Sequence, residues 1–281
     1  MLTVIEVVKK TSEFFAAKGI ESPRLNAELL VGHALALPRM RLYLEFERPV
    51  SDAELGAIRE LVRRRGRREP IQHVLGFTEF HGLRLKTDRR ALIPRPETEL
   101  LVETLAGRCQ PPPQRILDLG TGSGAIALAL AVAFPLALVT ALDASAEALA
   151  LASENTQAAG LSGRVTLLES DWFSALPPGA AFDLVVANPP YLSEAEAAEA
   201  APEVREHEPA RALAAGDGGF SDLERIASGA AEFLAEGGLL ALETGTGHHG
   251  RLQALLRGAG YARTESLADL SGRDRFVLAW R

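Results

Sequence analysis

Apolar residues recur at helical spacing through the first part of the chain. The segment VIEVVKKTSEFFAAKG (4–19) ends in a glycine, a second such segment is RLNAELLVGHAL (24–35), and a third begins at Ser51 and continues through LGAIRELVRRR (55–65). Apolar positions three and four residues apart are typical of amphipathic helices. The pattern contains no strand, so it predicts a small helical domain over residues 1–70.

The pattern changes at residue 71. IQHVLGFTEFHGLRLKTD (71–88) alternates between apolar and polar residues and contains two glycines, which predicts a β-hairpin. We interpret residues 71–92 as a hairpin linker between two domains. Pro94 and Pro96 then lead into a helix that is predicted from about Glu97.

From Arg115 onward, short apolar runs alternate with helical stretches. The runs predict strands at 115–119, 137–143, 165–169, 183–188, 239–244 and, at the end, 273–280. Such alternation indicates an α/β domain, residues 93–281, with a mostly parallel sheet covered by helices on both faces. The long apolar run 125–142 is interrupted by Pro135, so we interpret it as a buried helix, a turn and a buried strand rather than a membrane span.

Composition narrows the class of protein. The chain has 281 residues, 47% of them hydrophobic, and a net charge of −7, which argues against long duplex nucleic acid as the main partner. A single cysteine excludes an internal disulfide, and charged residues interrupt the first twenty positions, so we expect a cytoplasmic protein without a signal peptide. The basic run RRRGRRE (63–69) fits a solvated helix end better than a docking surface for an acidic or nucleic-acid partner.

A glycine loop joins the first sheet strand to the next helix in ILDLGTGSGAIAL (116–128). Gly120 and Gly122 allow a tight turn that approaches a ligand closely, and the helix behind them offers free N–H groups. With Ala125, these glycines also satisfy the loose dinucleotide pattern G-x-G-x-x-A. Asp143 closes the next strand, where an acid that binds a ribose is expected. A nicotinamide-linked dehydrogenase therefore remains open at this point.

Two features favour S-adenosylmethionine over a dinucleotide: Asp118 before the loop, and the segment 188–191 after the fourth strand, for which the pyrophosphate pattern does not account. Asp118 precedes the loop, where it suits a cationic amino-acid end and would repel a pyrophosphate. After the third strand, Asp171 is placed to accept from an adenine amino group, and Trp172 to cover the face of the ring, although core packing explains Trp172 about equally well. S-adenosylmethionine has a ribose, an adenine and an ammonium group but no phosphate.

The fourth sheet strand ends in Asn188-Pro189-Pro190-Tyr191. Proline cannot continue a ladder, so the Pro189 carbonyl is free, and Asn188 supplies a second carbonyl. Two acceptors on the N–H groups of a planar amide or amino nitrogen would position it for methyl transfer, and Tyr191 could stack on the planar group. We therefore predict Asn188, Pro189 and Tyr191 as catalytic residues. No cluster has metal-ligand spacing, and no G-x-S-x-G motif is present.

These motifs resemble those of the protein-(glutamine-N5) methyltransferases that modify peptide-chain release factors. The Asp118–Gly124 loop and Asn188–Tyr191 are shared with other amino-methylating enzymes, including adenine-N6 DNA methyltransferases. Four longer segments carry the closer resemblance: EPIQHVLGFTEFHGLRL (69–85), LIPRPETELLVE (92–103), EVREHEPARALAAGDGG (203–219) and GRDRFVLAWR (272–281). One segment, ETGTGHHGRL (243–252), departs from the family pattern at His248 and His249.

The resemblance implies a fold, a cofactor and a substrate. The fold is a Rossmann-like class I methyltransferase sheet of seven strands, preceded by a helical domain that recognises the substrate. The substrate is the glutamine of the Gly-Gly-Gln motif of class I release factors. Apart from the resemblance, we expect a monomer that has no stable nucleic-acid or membrane partner. The cofactor positions carried over are Gly120, Thr121, Gly122, Ser123, Gly124, Asp143, Trp172 and Asn188, and the substrate positions are Asn188, Pro189, Pro190 and Tyr191.

Four other functions remain open from the sequence, and the nicotinamide-linked dehydrogenase is one of them. A sister branch of the family methylates a glutamine in a ribosomal protein. A nucleic-acid methyltransferase of the adenine-N6 type shares the acceptor motif, and the arginines of the 63–69 run count slightly for it. A non-catalytic scaffold that binds the cofactor fits least well, because the acceptor motif is complete.

Overall fold

The computed structural model describes residues 1–281, which divide into two compact units. Residues 1–76 and 201–207 form the first unit, and residues 77–200 and 208–281 form the second. The elements of the first unit are α1 (Val4–Ala17), α2 (Pro23–Ala34), α3 (Arg39–Leu44), α4 (Asp52–Gly66), α5 (Ile71–Leu75) and α10 (Pro202–His207).

The second unit contains all the strands. Its strands are β1 (Phe77–Phe80), β2 (Leu83–Lys86), β3 (Arg115–Leu119), β4 (Leu138–Asp143), β5 (Val165–Glu169), β6 (Phe182–Ala187), β7 (Leu234–Glu243), β8 (Arg263–Ala268) and β9 (Asp274–Trp280). Its helices are α6 (Pro96–Arg108), α7 (Ala125–Ala133), α8 (Ala146–Ala158), α9 (Glu194–Glu199), α11 (Gly216–Gly219), α12 (Ser221–Phe233) and α13 (His249–Gly258), with a 3₁₀ turn at Ala210–Ala212.

Capping residues in the sequence set where the helices of the first unit begin. Thr3 and Glu6 form a capping box at α1, and Ser51 and Glu54 form another at α4, where the Glu54 carboxylate accepts from the Ser51 N–H at 2.8 Å. The apolar faces of these helices bury one core, which includes Val4, Phe15, Leu30, Val31 and Ile58. The helical prediction for residues 1–70 is therefore confirmed by the elements that form.

The basic run 63–69 is more deeply involved in this unit than the sequence suggested. The Arg65 side chain is buried and donates to Asn26 at 2.8 Å and to Glu203 at 2.9 Å. Arg68 donates to the other oxygen of Glu203 at 2.8 Å. The run is thus not simply a solvated helix end, because two of its arginines hold residues 201–207 in the first unit.

The main sheet has seven strands in the order β5-β4-β3-β6-β7-β9-β8. The five strands from β5 to β7 are parallel, and β9 is antiparallel to both β7 and β8. Successive side chains of a strand point to opposite faces, so Ile116 packs with α7 on one face and Leu117 packs with α12 on the other. All residues from Ala125 to Ala131 are buried, which explains the first part of the long apolar run, whereas Leu136 and Leu138 are exposed.

Three details differ from the sequence pattern. Residues 71–75 form α5 rather than part of the hairpin, which is confined to β1 and β2. Helix α3 and strand β8 were not predicted from the pattern. Strand β8 lies at the edge of the sheet, and its half-exposed residues give no continuous apolar signal. No helix combines the length and the apolar character needed to cross a membrane.

Candidate active site

A cavity of about 290 Å³ opens at the carboxyl ends of the parallel strands. The chain passes from β3 outward to β4 and β5 and then returns to β6 on the other side of β3. This reversal separates the loops that follow β3 and β6, and ligands of open α/β sheets bind in such a crevice. The cavity is lined by the loops after β3, β4, β5 and β6 and by the residues before α6.

The glycine loop forms one wall of the cavity. Gly120 and Gly122 have φ values of 71° and 56°, the left-handed region that glycine adopts without strain. The Thr121 N–H donates to Leu142 O at 2.8 Å, and the Gly122 N–H donates to Asp143 Oδ2, also at 2.8 Å. The end of β4 therefore holds the loop in place.

Asp143 lies on the wall and accepts two backbone hydrogen bonds. Its Oδ2 accepts from Gly122, and its Oδ1 accepts from the Ser145 N–H at 2.9 Å. Ser145 in turn caps α8 by accepting from the Ala148 N–H. A carboxylate with this geometry ties the loop to the start of α8 and retains lone pairs for the hydroxyl groups of a ligand.

Two residues of the predicted loop site do not line the cavity. Asp118 is fully buried beneath the loop, where its Oδ2 accepts from the Thr121 hydroxyl at 2.6 Å and from the Ala127 N–H at 3.1 Å. Its Oδ1 is buried without a partner, and burial raises the pKa of the carboxyl to about 7. Gly124 packs against Ala152 instead. Both residues shape the loop from behind, whereas Thr121 and Ser123 line the cavity. Contact of these residues with the cofactor remains a prediction.

Trp172 and Asp171 form the wall after β5. Trp172 has a left-handed φ of 49°, and its backbone oxygen accepts from the Ser170 hydroxyl at 2.6 Å. Its ring lies over Gly120, within 3.6 Å of where a Cβ of that residue would be. Asp171 pairs with Arg225 at 2.9 Å on the exposed rim. The structure thus places both residues at the cavity, and the predicted adenine contacts remain a prediction.

Asn188, Pro189 and Pro190 form the wall after β6, opposite the glycine loop. The Asn188 Nδ2 donates to the Thr98 hydroxyl at 3.1 Å. Tyr191 does not line the cavity; its hydroxyl donates to Glu243 at 3.4 Å, and burial raises its pKa to about 12. The three residues that follow the strand therefore reach the cavity together, whereas the tyrosine ring packs beside them.

Several polar residues at or next to the cavity were not predicted from the sequence. Arg95 lines the cavity and pairs at 2.7 Å with Glu208, whose other oxygen accepts from the Ile93 N–H at 3.1 Å. Arg211 also lines the cavity and donates to the Ser145 hydroxyl. These residues lie in the segments 92–103 and 203–219, but the sequence gives no sign that the two segments meet. No group of three or more His, Cys, Asp or Glu side chains could hold a metal ion.

His248 and His249 lie outside the cavity. His248 Nε2 is 3.2 Å from Gly218 O, and the buried His249 Nδ1 is 2.7 Å from the Ser266 hydroxyl. Their side chains diverge as expected for neighbours in sequence, and each has a structural contact of its own.

Comparison with known proteins places this chain in a family. Residues 6–76 match a family model described as the PrmC N-terminal domain, and residues 96–218 match one described as a methyltransferase small domain. A release factor glutamine methyltransferase of Chlorobaculum tepidum is 43% identical over 97% of this chain and 95% of its own length. The corresponding proteins of Rhodopirellula baltica and Moorella thermoacetica are 40% and 41% identical and cover 98% and 100% of this chain.

The chain belongs to the release factor glutamine methyltransferase family. Solved structures agree on the fold: a methyltransferase from Pyrococcus furiosus aligns with a TM-score of 0.55 at 18% identity over 71% of this chain and 89% of its own. The T. thermophilus 16S rRNA N2 G1207 methyltransferase, in complex with AdoMet and guanosine, aligns with a TM-score of 0.53 at 21% identity, over 73% of this chain and 49% of its own. The predicted class I methyltransferase fold is confirmed.

Proposed function

We propose that this protein transfers a methyl group from S-adenosylmethionine to the side-chain nitrogen of the glutamine in the Gly-Gly-Gln motif of class I release factors. Family membership across both units supports the substrate. The observation that carries the chemistry is the cavity, because it brings the glycine loop and Asp143 to face Asn188 and Pro189. A cytoplasmic monomer without a stable nucleic-acid partner completes the proposal.

The residues of the cavity fit the proposed cofactor. Asp143 offers carboxylate oxygens suited to ribose hydroxyls, and Trp172 offers an aromatic face. Asp118 does not line the cavity and supports the loop from beneath through Thr121 and Ala127. When bound, S-adenosylmethionine supplies an electrophilic methyl group carried on a positively charged sulfur.

The residues after β6 would hold the acceptor amide. Asn188 uses its Nδ2 for a hydrogen bond inside the protein, which leaves its Oδ1 to accept from a substrate N–H. Pro189 is followed by a second proline, so no ladder hydrogen bond continues there and its carbonyl can accept the other N–H. The two acceptors would fix the nitrogen and favour its loss of planarity as the methyl group arrives. The S–CH₃ bond would break as the N–CH₃ bond forms, with S-adenosylhomocysteine as the leaving group, and the amide would lose one proton to solvent. The stacking of Tyr191 on the amide remains a prediction.

Methyl transfer from labelled S-adenosylmethionine tests the function. Purified release factors, ribosomes and DNA are offered in parallel, and mass spectrometry maps the modified residue. We expect label on the glutamine of the Gly-Gly-Gln motif. Label on a ribosomal protein or on adenine, with none on release factors, would replace this function with one of the two alternatives.

The variant Asn188→Ala tests the proposed role of Asn188. This change deletes the proposed acceptor, and we expect turnover to fall by about 100-fold or more because well-oriented positioning contributes several kcal/mol to catalysis. Affinity for the cofactor should change much less. Near-normal turnover in a folded Asn188→Ala protein would show that Asn188 only ends the strand.

A further inference from the structure

Two successive hydrogen bonds connect the side chain of Asn188 to the buried residues Thr98 and Glu243. Asn188 Nδ2 donates to Thr98 Oγ1 at 3.1 Å, and Thr98 Oγ1 donates to Glu243 Oε2 at 2.7 Å. Thr98 is 4% exposed and Glu243 is 1% exposed, so the hydrogen bond between them is shielded from water, whereas Asn188 is half-buried. Asn188 directly follows β6, Thr98 is in the first turn of α6, and Glu243 ends β7, where Ala187 and Leu242 are paired in the sheet.

The direction of these hydrogen bonds follows from the chemistry of the groups. A threonine hydroxyl has one proton, and an ionised carboxylate can only accept, so the proton of Thr98 goes to Glu243. The hydroxyl oxygen is then left as an acceptor, and only the NH₂ side of the Asn188 amide can bind to it. An asparagine amide otherwise has two orientations of similar shape, and this contact selects one of them.

The selected orientation matters for the proposed reaction. With Nδ2 on Thr98, Oδ1 is the atom that remains for a substrate N–H at the cavity wall. In the opposite orientation the cavity would meet an NH₂ group, which cannot accept. Thr98 also lines the cavity, and by fixing this choice it would act on catalysis through Asn188.

We propose that Thr98, held by Glu243, is a positioning residue that keeps the carbonyl oxygen of Asn188 directed to the acceptor amide. This role rests on the proposed function, and it adds two residues to which the sequence analysis gave no role. Thr98 and Glu243 act through Asn188 and are not themselves catalytic residues.

The ionisation of Glu243 sets the donor and acceptor direction of these two hydrogen bonds. Burial raises its pKa to about 7, whereas hydrogen bonds from Thr98 and Tyr191 and the charge of Arg275 oppose that rise and Glu97 adds to it. Above this pKa the carboxylate accepts from Thr98 and the amide orientation is fixed. Below it the protonated carboxyl can donate to Thr98, the hydroxyl proton is free to turn to Asn188, and the selection is lost.

Nuclear magnetic resonance tests the contact without any turnover. The chain has three asparagines, Asn26, Asn155 and Asn188, so ¹⁵N-asparagine labelling gives three side-chain amide signals. In the free protein we expect the Asn188 signal to titrate near pH 7, to stop titrating in Glu243→Gln and to shift in Thr98→Val. The amides of Asn26 and Asn155 bind backbone carbonyls and are internal controls. An Asn188 signal that is identical in folded Thr98→Val and wild-type protein would overturn the proposal.

Kinetics test the consequence. We expect Thr98→Val to lower kcat for release-factor methylation by about tenfold or more, with little change in the Kd for S-adenosylmethionine, because a small misplacement of a catalytic group is costly. Thr98→Ser restores the hydroxyl and should recover most of the rate. The wild-type rate should rise with pH through about 7, and Glu243→Gln should lose that rise.

The two experiments separate this proposal from the proposed function. A wild-type protein that does not methylate release factors refutes the function, and the Asn188 signal then decides the positioning role by itself. A wild-type protein that is active, together with a folded Thr98→Val variant of equal kcat, refutes the positioning role alone.

Discussion

At the scale of single residues, Asp143 accepts a hydrogen bond from Gly122 of the glycine loop and is the acid that we propose for the ribose of the cofactor. We expect Asp143→Ala to weaken binding of S-adenosylmethionine by roughly 5- to 150-fold, since hydrogen bonds to a charged group contribute about 1–3 kcal/mol. Part of this loss comes from the loop, because Gly122 loses its acceptor. Isothermal titration calorimetry measures the affinity.

The matched control for Asp143 is Asp183→Ala. Asp183 also accepts two backbone N–H bonds, from Gln114 at 2.7 Å and Arg115 at 2.9 Å, but it lies near the amino end of β6 and does not line the cavity. Its replacement should leave the affinity for the cofactor unchanged. Equal affinities for wild type and a folded Asp143→Ala protein would contradict the assignment of Asp143 to the ribose.

Asp118 gives a prediction about pH and stability. Burial raises its pKa to about 7 in the folded protein, well above the ordinary value of an aspartate, so the folded state binds the proton over a range in which the unfolded chain has released it. The free energy of unfolding therefore falls as pH rises from about 4 to 7, and the full penalty is present above pH 7. Replacing Asp118 with Asn removes the group that ionises and keeps an acceptor for Thr121 and Ala127.

We expect the Tm of Asp118→Asn, measured without cofactor by scanning calorimetry, to rise relative to that of wild type between pH 5 and pH 8. Each kcal/mol gained corresponds to about 2–4 °C in a domain of this size. The buried His249, whose pKa is lowered by burial, contributes in the opposite direction, but it does so in both proteins and cancels. A constant difference in Tm across this range would show that Asp118 is ionised in the folded protein.

At the scale of elements, the turn at α11 supports the segment that follows β6. A Cβ on Gly219 would lie 2.2 Å from the backbone oxygen of Tyr191, and Gly219 also has a left-handed φ of 89°. We therefore expect Gly219→Ala to displace Asn188–Tyr191, to destabilise the protein by about 2–5 kcal/mol and to abolish most of the turnover. Denaturant unfolding and methyl-transfer assays measure the two effects.

Its neighbour Gly218 is the control. Gly218 also has a left-handed φ, 64°, but a Cβ there would meet nothing within 4 Å. Gly218→Ala should therefore cost only the conformational term, about 1–2 kcal/mol, and leave turnover nearly unchanged. Similar losses of activity in the two variants would show that the backbone conformation, rather than the close approach to Tyr191, is what the activity requires.

The elements also show what a sequence can predict. Strands β3, β4, β6 and β7 and the helices between them were found because buried parallel strands are continuous apolar runs. Strand β8 lies at the edge of the sheet and is half-exposed, so it has no continuous apolar run. Helices α3 and α5 have only six and five residues, which is too short for a helical pattern to be detected.

The same distinction holds for the candidate site. Its glycine loop and Asn188–Pro190 were predicted because each is a local motif that must follow a strand. The contacts of Thr98 with Glu243 and of Arg95 with Glu208 join residues 145 and 113 positions apart, so no local pattern reports them. Asp118 illustrates the limit in another way: the motif located it correctly beside the loop, but only the packing shows that it lies beneath the loop and off the wall.

At the scale of the whole molecule, the division into two units separates chemistry from the recognition that we propose for the first unit. Every residue that lines the cavity belongs to the second unit. We expect the fragment Phe77–Arg281 to bind S-adenosylmethionine with an affinity within about threefold of the full chain. The fragment includes the hairpin, which belongs to the second unit by its contacts.

Two substrates distinguish recognition from chemistry in this fragment. We expect it to methylate a short synthetic peptide containing Gly-Gly-Gln as well as the full chain does, and to methylate intact release factor at least about tenfold more slowly. Residues 201–207 lose Arg65 and Arg68 as partners in the fragment, so the Arg65→Ala full chain is assayed beside it. If that variant loses activity on the short peptide, the segment 201–207 supports the chemistry. If the fragment binds cofactor and methylates intact release factor at the full rate, the first unit has no role in recognition.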